Sequence, residues 1–182
     1  MLILRCHIEQ LADWYPRLFL ELYIVACVAV LQDYSESPAK IDVECENVES
    51  SKIGEAQRFV VELAWNAQTA SKAGRLRSTV QRKPLVEGAA AALGLVLAHR
   101  VADLGELDVT EYGDRADYRS VKESSVLEIS GTESLPELER RHREKVTQAL
   151  ANPFGWDACV VVCAFSEKGH RIRLSKHLAR EA

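Results

Sequence analysis

The chain predicts an α/β (α+β) fold, a mixed β-sheet flanked by helices, and three observations lead there. Residues 85–104, LVEGAAAALGLVLAHRVADL, carry alanine and leucine at helical density, so a helix buried on most of its sides is expected from Leu85 to Leu104. Residues 157–165, DACVVVCAF, are apolar throughout, the pattern of a strand covered on both faces. Between these two the order is strand, strand, strand, helix, and an interior strand that follows a helix places helices against a mixed sheet.

From the N-terminus, residues 8–20 (IEQLADWYPRLFL) mix apolar and polar positions as a short helix does, with Pro16 interrupting it. Residues 22–32 (LYIVACVAVLQ) are rich in β-branched and aromatic side chains. Residues 40–48 (KIDVECENV) alternate Ile41, Val43 and Cys45 against Asp42, Glu44 and Glu46. The two stretches read together as a β-hairpin with a longish loop and one wet face. Residues 59–65 (FVVELAW) add a third strand or begin a helix. The polar, basic segment 66–83 has Gly74 in its middle and is closed by Pro84. Short strands are expected at 107–112 and 116–120, and a more apolar one at 125–130. Residues 133–150 are amphipathic, with Ser134 as a possible N-cap residue and Pro136 near the first helical position. Residues 171–174 are expected to pair with 157–165. The organisation expected is an N-terminal helix and β-hairpin element over 1–65, a basic connecting segment over 66–84 and a core over 85–182.

A length of 182 residues holds one domain of ordinary size with a sizeable core. An apolar fraction of 47%, a charged fraction of 27% and a mean hydropathy of -0.13 describe a globular chain rather than a disordered or fibrous one. A net charge of -4 argues against a protein that coats nucleic acid through bulk positive charge. The basic residues are clustered, however: five between Lys72 and Lys83, four between Arg140 and Lys145, and five between Lys168 and Arg180. The five cysteines are an odd number without metal or redox spacing and read as buried free thiols. The apolar run 18–31 is short and interrupted by Glu21, so it does not span a bilayer, and the N-terminus lacks the pattern of a secretion signal. A cytoplasmic protein without a membrane partner is expected. Histidine pairs at ligand spacing, a GxSxG elbow and the Gly-rich phosphate loops are missing.

Chemistry concentrates in residues 113–132, GDRADYRSVKESSVLEISGT. Alternation sends Val126, Glu128 and Ser130 to one face of a strand and Leu127 and Ile129 to the other, so a buried-looking strand carries an acid. Such an acid costs free energy unless a cation or hydrogen bonds compensate it. Asp117 sits on the strand before it, with Asp114 as a competing ligand. Glu87 is the only acid in the first three turns of the long helix, and an acid at a helix start is also favoured by the helix dipole. Two or three carboxylates on rigid strands suit Mg²⁺ or Mn²⁺, which take oxygen ligands and, in the case of Mg²⁺, keep several waters. Asp117, Glu128 and Glu87 are therefore the candidate metal ligands. The alternative partner for Glu128 is Arg119, across the hairpin.

The order of a helix acid, a strand aspartate and an acidic strand resembles the PD-(D/E)XK, or restriction-endonuclease-like, nuclease superfamily over about half of the chain. The resemblance implies a restriction-endonuclease-like core. Asp117 would be its metal-binding aspartate, Glu128 the acid of the E-x-K strand motif, and Glu87 the helix acid. Gln148 is similar to a glutamine found in some branches of that superfamily. The motif departs at one place: E-I-S puts Ser130 where the lysine stands. In members whose basic residue comes from a neighbouring helix the role is filled from there, and Lys145 or Arg141 would then serve. The catalytic set implied is Asp117, Glu128, Lys145, Glu87 and Ser130. Lys72, Arg75, Arg77, Arg82, Lys83 and Arg141 are the candidates for phosphate contacts.

Three function classes follow. The first is a Mg²⁺- or Mn²⁺-dependent nuclease acting on DNA or RNA. The second is a catalytically degenerate nuclease-fold subunit that assembles with a protein partner or a second copy, for example in a bacterial defence or mobile-element system. The third is a small binding protein that offers a strand edge.

Overall fold

The computed structural model describes residues 1–54 and 56–179, so Arg180 of the last basic cluster lies outside the described residues. Eight strands form one mixed sheet: β1 (Leu2–His7), β2 (Ala39–Glu46), β3 (Arg58–Ala64), β4 (Asp108–Val109), β5 (Tyr118–Ser120), β6 (Ser125–Thr132), β7 (Asp157–Ala164) and β8 (His170–His177). Their order across the sheet is β1-β3-β2-β8-β7-β6-β5-β4. The helices are α1 (Leu11–Trp14), α2 (Glu21–Leu31), α3 (Ala67–Arg77), α4 (Arg82–Arg100) and α5 (Leu138–Leu150). A mixed sheet flanked by helices is the architecture expected.

The two faces of the sheet are covered differently. Residues of α2 and α4 pack with Leu127, Ile129, Val161 and Leu174 in the larger core. Leu138 and Ala149 of α5 pack on the other face with Val126, Val160 and Val162. Strands β6 and β7 run parallel with Glu128 opposite Val160, and α5 is the crossover between them. Strand β2 pairs parallel with β8, so the strands before residue 84 and those after it share one sheet.

The reading of 22–32 as a strand is corrected: the segment is α2. Every residue from Ile24 to Leu31 is buried, and a helix apolar all round shows no helical period, so its β-branched content misleads. The N-terminal hairpin is instead β2 with β3, antiparallel, with Ile41 opposite Val61. The segment 66–83 is also more ordered than a connection. Asn66 accepts from the Thr69 amide at 2.8 Å and caps α3, and α4 begins at Arg82 with Pro84 in its first turn. Ser134 makes no side-chain cap bond, and a 3₁₀ turn over Leu135–Glu137 holds Pro136 before α5. All five cysteines are buried free thiols.

Helix α4 sits close on β6 because two glycines allow it. A Cβ on Gly131 would stand 2.6 Å from the Val86 carbonyl oxygen, and one on Gly94 would stand 2.5 Å from Ile129 Cδ1. The strand expected at 125–130 runs on to Thr132, so Gly131 is inside β6 and serves this close approach.

Candidate active site

The site lies at the open edge of β6. Strand β5 pairs with β6 only as far as Tyr118 opposite Leu127, so Ile129 and Gly131 pass beyond the last strand partner on that side. Carboxylates take over there. Asp117 Oδ2 accepts from the Ile129 amide at 2.7 Å, and Glu87 Oε2, delivered by the first turns of α4, accepts from the Gly131 amide at 3.0 Å. An unpaired strand edge thus receives two acids as acceptors.

Glu128 points to the opposite face, toward α5, and is 2% exposed. Its Oε1 accepts from Lys145 Nζ at 2.5 Å and from Gln148 Nε2 at 3.1 Å, and its Oε2 is buried with no hydrogen-bond partner among the described residues. Arg119, the alternative partner, is instead over the Phe154 ring at 5.6 Å. Arg141 donates to Ser130 Oγ at 3.3 Å and to the Gly131 carbonyl at 3.0 Å, and lies 3.9 Å from Glu87. Positions 141, 145 and 148 are spaced by four and three, which puts all three on one face of α5. Asp114 accepts from the Glu111 amide within its own turn at 2.8 Å.

Burial pushes the Glu128 pKa up to about 7, and the nearby Asp117 charge adds to that, against the Lys145 and Gln148 bonds. Asp117 is raised as well, by desolvation first; the Ile129 amide and Lys145 oppose the shift and Glu87 adds to it. The Asp117 residue as a whole keeps solvent access while its carboxyl is crowded by protein atoms.

Among the described residues no group of three or more His, Cys, Asp and Glu side chains is arranged to hold a metal ion. Glu87, Asp117 and Glu128 therefore do not close on one point: Glu87 approaches from the α4 side of β6, Glu128 from the α5 side, and Asp117 from the edge. The donors present are oxygens of the hard kind that Mg²⁺ or Mn²⁺ take: Glu128 Oε2 is buried without a hydrogen-bond partner among the described residues, and Asp117 is open to solvent.

The basic candidates divide. Lys72 pairs with Glu21 at 2.5 Å, Arg77 with Asp33 at 2.6 Å, and Arg82 with Asp33 and with Glu133 at 2.6 Å. Arg75 and Lys83 are exposed and form no ion pair among the described residues. Beside Asp117 and Glu87 lies a cavity of about 480 Å³, largely apolar, lined among others by Leu22, Tyr23, Val80, Ala91, Tyr118 and Ile129. Nothing in the sequence pattern points to it, because α2, which supplies one wall, reads there as a strand.

No protein-family model, no curated protein and no solved structure matches this chain. No helix among the described residues is long and apolar enough to cross a membrane. The fold and site define an α/β protein with an acid-and-lysine cluster at an open sheet edge.

Proposed function

We propose that the chain is a divergent, metal-dependent nuclease-like protein acting on DNA or RNA phosphodiesters, with a restriction-endonuclease-like core. The observation that carries this reading is the Lys145 ammonium, 2.5 Å from the buried strand acid Glu128 although Ser130 stands at the motif position. Helix α5 would supply the cation that the strand does not.

Asp117 and Glu128 would hold Mg²⁺ or Mn²⁺, which when bound neutralises charge on the phosphate and lowers the pKa of a coordinated water. Lys145 orients the attacking water and stabilises charge developing on the phosphate oxygens. Gln148 fixes the Glu128 carboxylate through its 3.1 Å bond. Arg141, oriented by Ser130 and the Gly131 carbonyl, contacts a phosphate oxygen, and Glu87 holds the β6 edge through the Gly131 amide.

A second reading, a degenerate subunit for assembly or regulation, is favoured by the same pair. Lys145 already occupies Glu128 as an ion-pair partner, and the three acids do not gather.

Cleavage of single- and double-stranded DNA and RNA in Mg²⁺ or Mn²⁺ tests both. The nuclease reading expects Asp117→Ala and Lys145→Ala each to lose activity about 100-fold or more, as removing a ligand or a charge-stabilising group does. Equal cleavage by wild type and Asp117→Ala overturns it, and partner binding without cleavage, unchanged in Glu128→Ala, supports the subunit.

A further inference from the structure

The cavity beside Asp117 is the feature that the acid cluster does not explain. It is larger than two carboxylates need, its walls are aliphatic and phenolic, and it opens where Asp117 and Glu87 stand. Leu22 lines both this cavity and a shallow groove formed by Phe19, Val25, Leu76 and Thr79, so the two adjoin at that side chain. Phe19 is 87% exposed and Leu22 54% exposed, which is unusual for large apolar side chains placed side by side. Arg75 lines the same groove, and Lys83 stands exposed in the first turn of α4, one residue before the cavity-lining Pro84.

We propose that this groove and cavity bind an unpaired stretch of single-stranded nucleic acid, one base resting on Phe19 and the next entering the cavity. The inference rests on the nuclease-like reading of the adjoining acids. An apolar cavity takes a base only when that base is unstacked and unpaired, and a single strand meets that condition at least cost. An exposed aromatic ring stacks on any base without reading its sequence. The exposed cations Arg75 and Lys83 complement a phosphate backbone along the groove, which also holds the Lys72–Glu21 ion pair. A duplex, with its bases inside, reaches the cations but not the cavity.

The test is equilibrium binding of a fluorescent DNA strand, the same strand as RNA, and the DNA strand annealed into a blunt duplex, in EDTA so that nothing is cut. At least one single strand is expected to bind tenfold or more tightly than the duplex. Phe19→Ala, which removes the stacking ring from the surface, and Ala91→Phe, which fills the cavity, are each expected to weaken that binding about tenfold. Equal or tighter duplex binding overturns the proposal, as does wild-type affinity in Phe19→Ala, whose exposed position spares the fold. Single-strand binding that both variants weaken, in a wild type that cuts nothing, supports the groove and removes the nuclease reading. Cleavage of single strands that needs Asp117 but is indifferent to Phe19→Ala and Ala91→Phe removes the groove and leaves the nuclease reading standing.

Discussion

Glu128 is an acid held in a position that desolvates its charge. Its pKa in the folded state is about 7, above the ordinary 4.5. Between those values the folded chain holds a proton that the unfolded chain has lost, so stability falls as pH rises from about 4.5 to about 7 and stays lower above that. Glu128→Gln removes the titration. Its stability is expected to match wild type near pH 4.5 and to exceed it at pH 8 by on the order of 3 kcal/mol, because each pH unit separating the folded and unfolded pKa values is worth about 1.4 kcal/mol. Chemical denaturation at the two pH values measures this. A variant less stable than wild type at pH 8 would show that the Lys145 pair more than offsets the desolvation of Glu128. The alternation around Glu128 made its burial legible in the sequence, but the identity of its cation was not. Arg119 is nine residues away in sequence and points to Phe154, whereas Lys145 arrives from α5 seventeen residues on.

Elements decide how near α4 comes to the acids. Gly131→Ala places a Cβ against the Val86 backbone oxygen, which cannot move without shifting α4, and a loss of about 1–3 kcal/mol is expected. Gly94→Ala meets Cδ1, Cγ1 and Cγ2 of the Ile129 side chain rather than a backbone atom, and alanine favours the helix by about 1 kcal/mol. Its cost is therefore expected to be smaller by about that amount. Thermal unfolding of both variants gives the comparison, and equal losses would contradict this account of the α4–β6 contact. Helices α4 and α5 were legible from composition and amphipathic pattern. Helix α2 was not, because a segment buried on all sides loses the periodicity that separates helix from strand.

At the scale of the molecule, β8 lies between β2 and β7, and α2 packs on α4. A fragment of residues 85–182 would leave one side of β8 and the buried face of α4 open to water. Such a fragment is expected to show no cooperative unfolding transition. The full chain is expected to unfold in one step, with tryptophan fluorescence and far-ultraviolet circular dichroism coinciding, since Trp14 and Trp65 report on one part of the sequence and Trp156 on the other. A cooperative transition in the fragment would show that the shared sheet is dispensable.

Hydrophobic pattern and side-chain alternation are local properties of the chain, and they suffice for the mixed sheet with its helices, the apolar strands β6 and β7, and an acid on a covered strand. Long-range packing sets which cation meets Glu128, how Glu87 and Asp117 reach the edge of β6, and that α2 walls a cavity beside them. Those contacts join positions 12 to 44 residues apart or more, and no local pattern encodes which of several charged side chains closes such a distance.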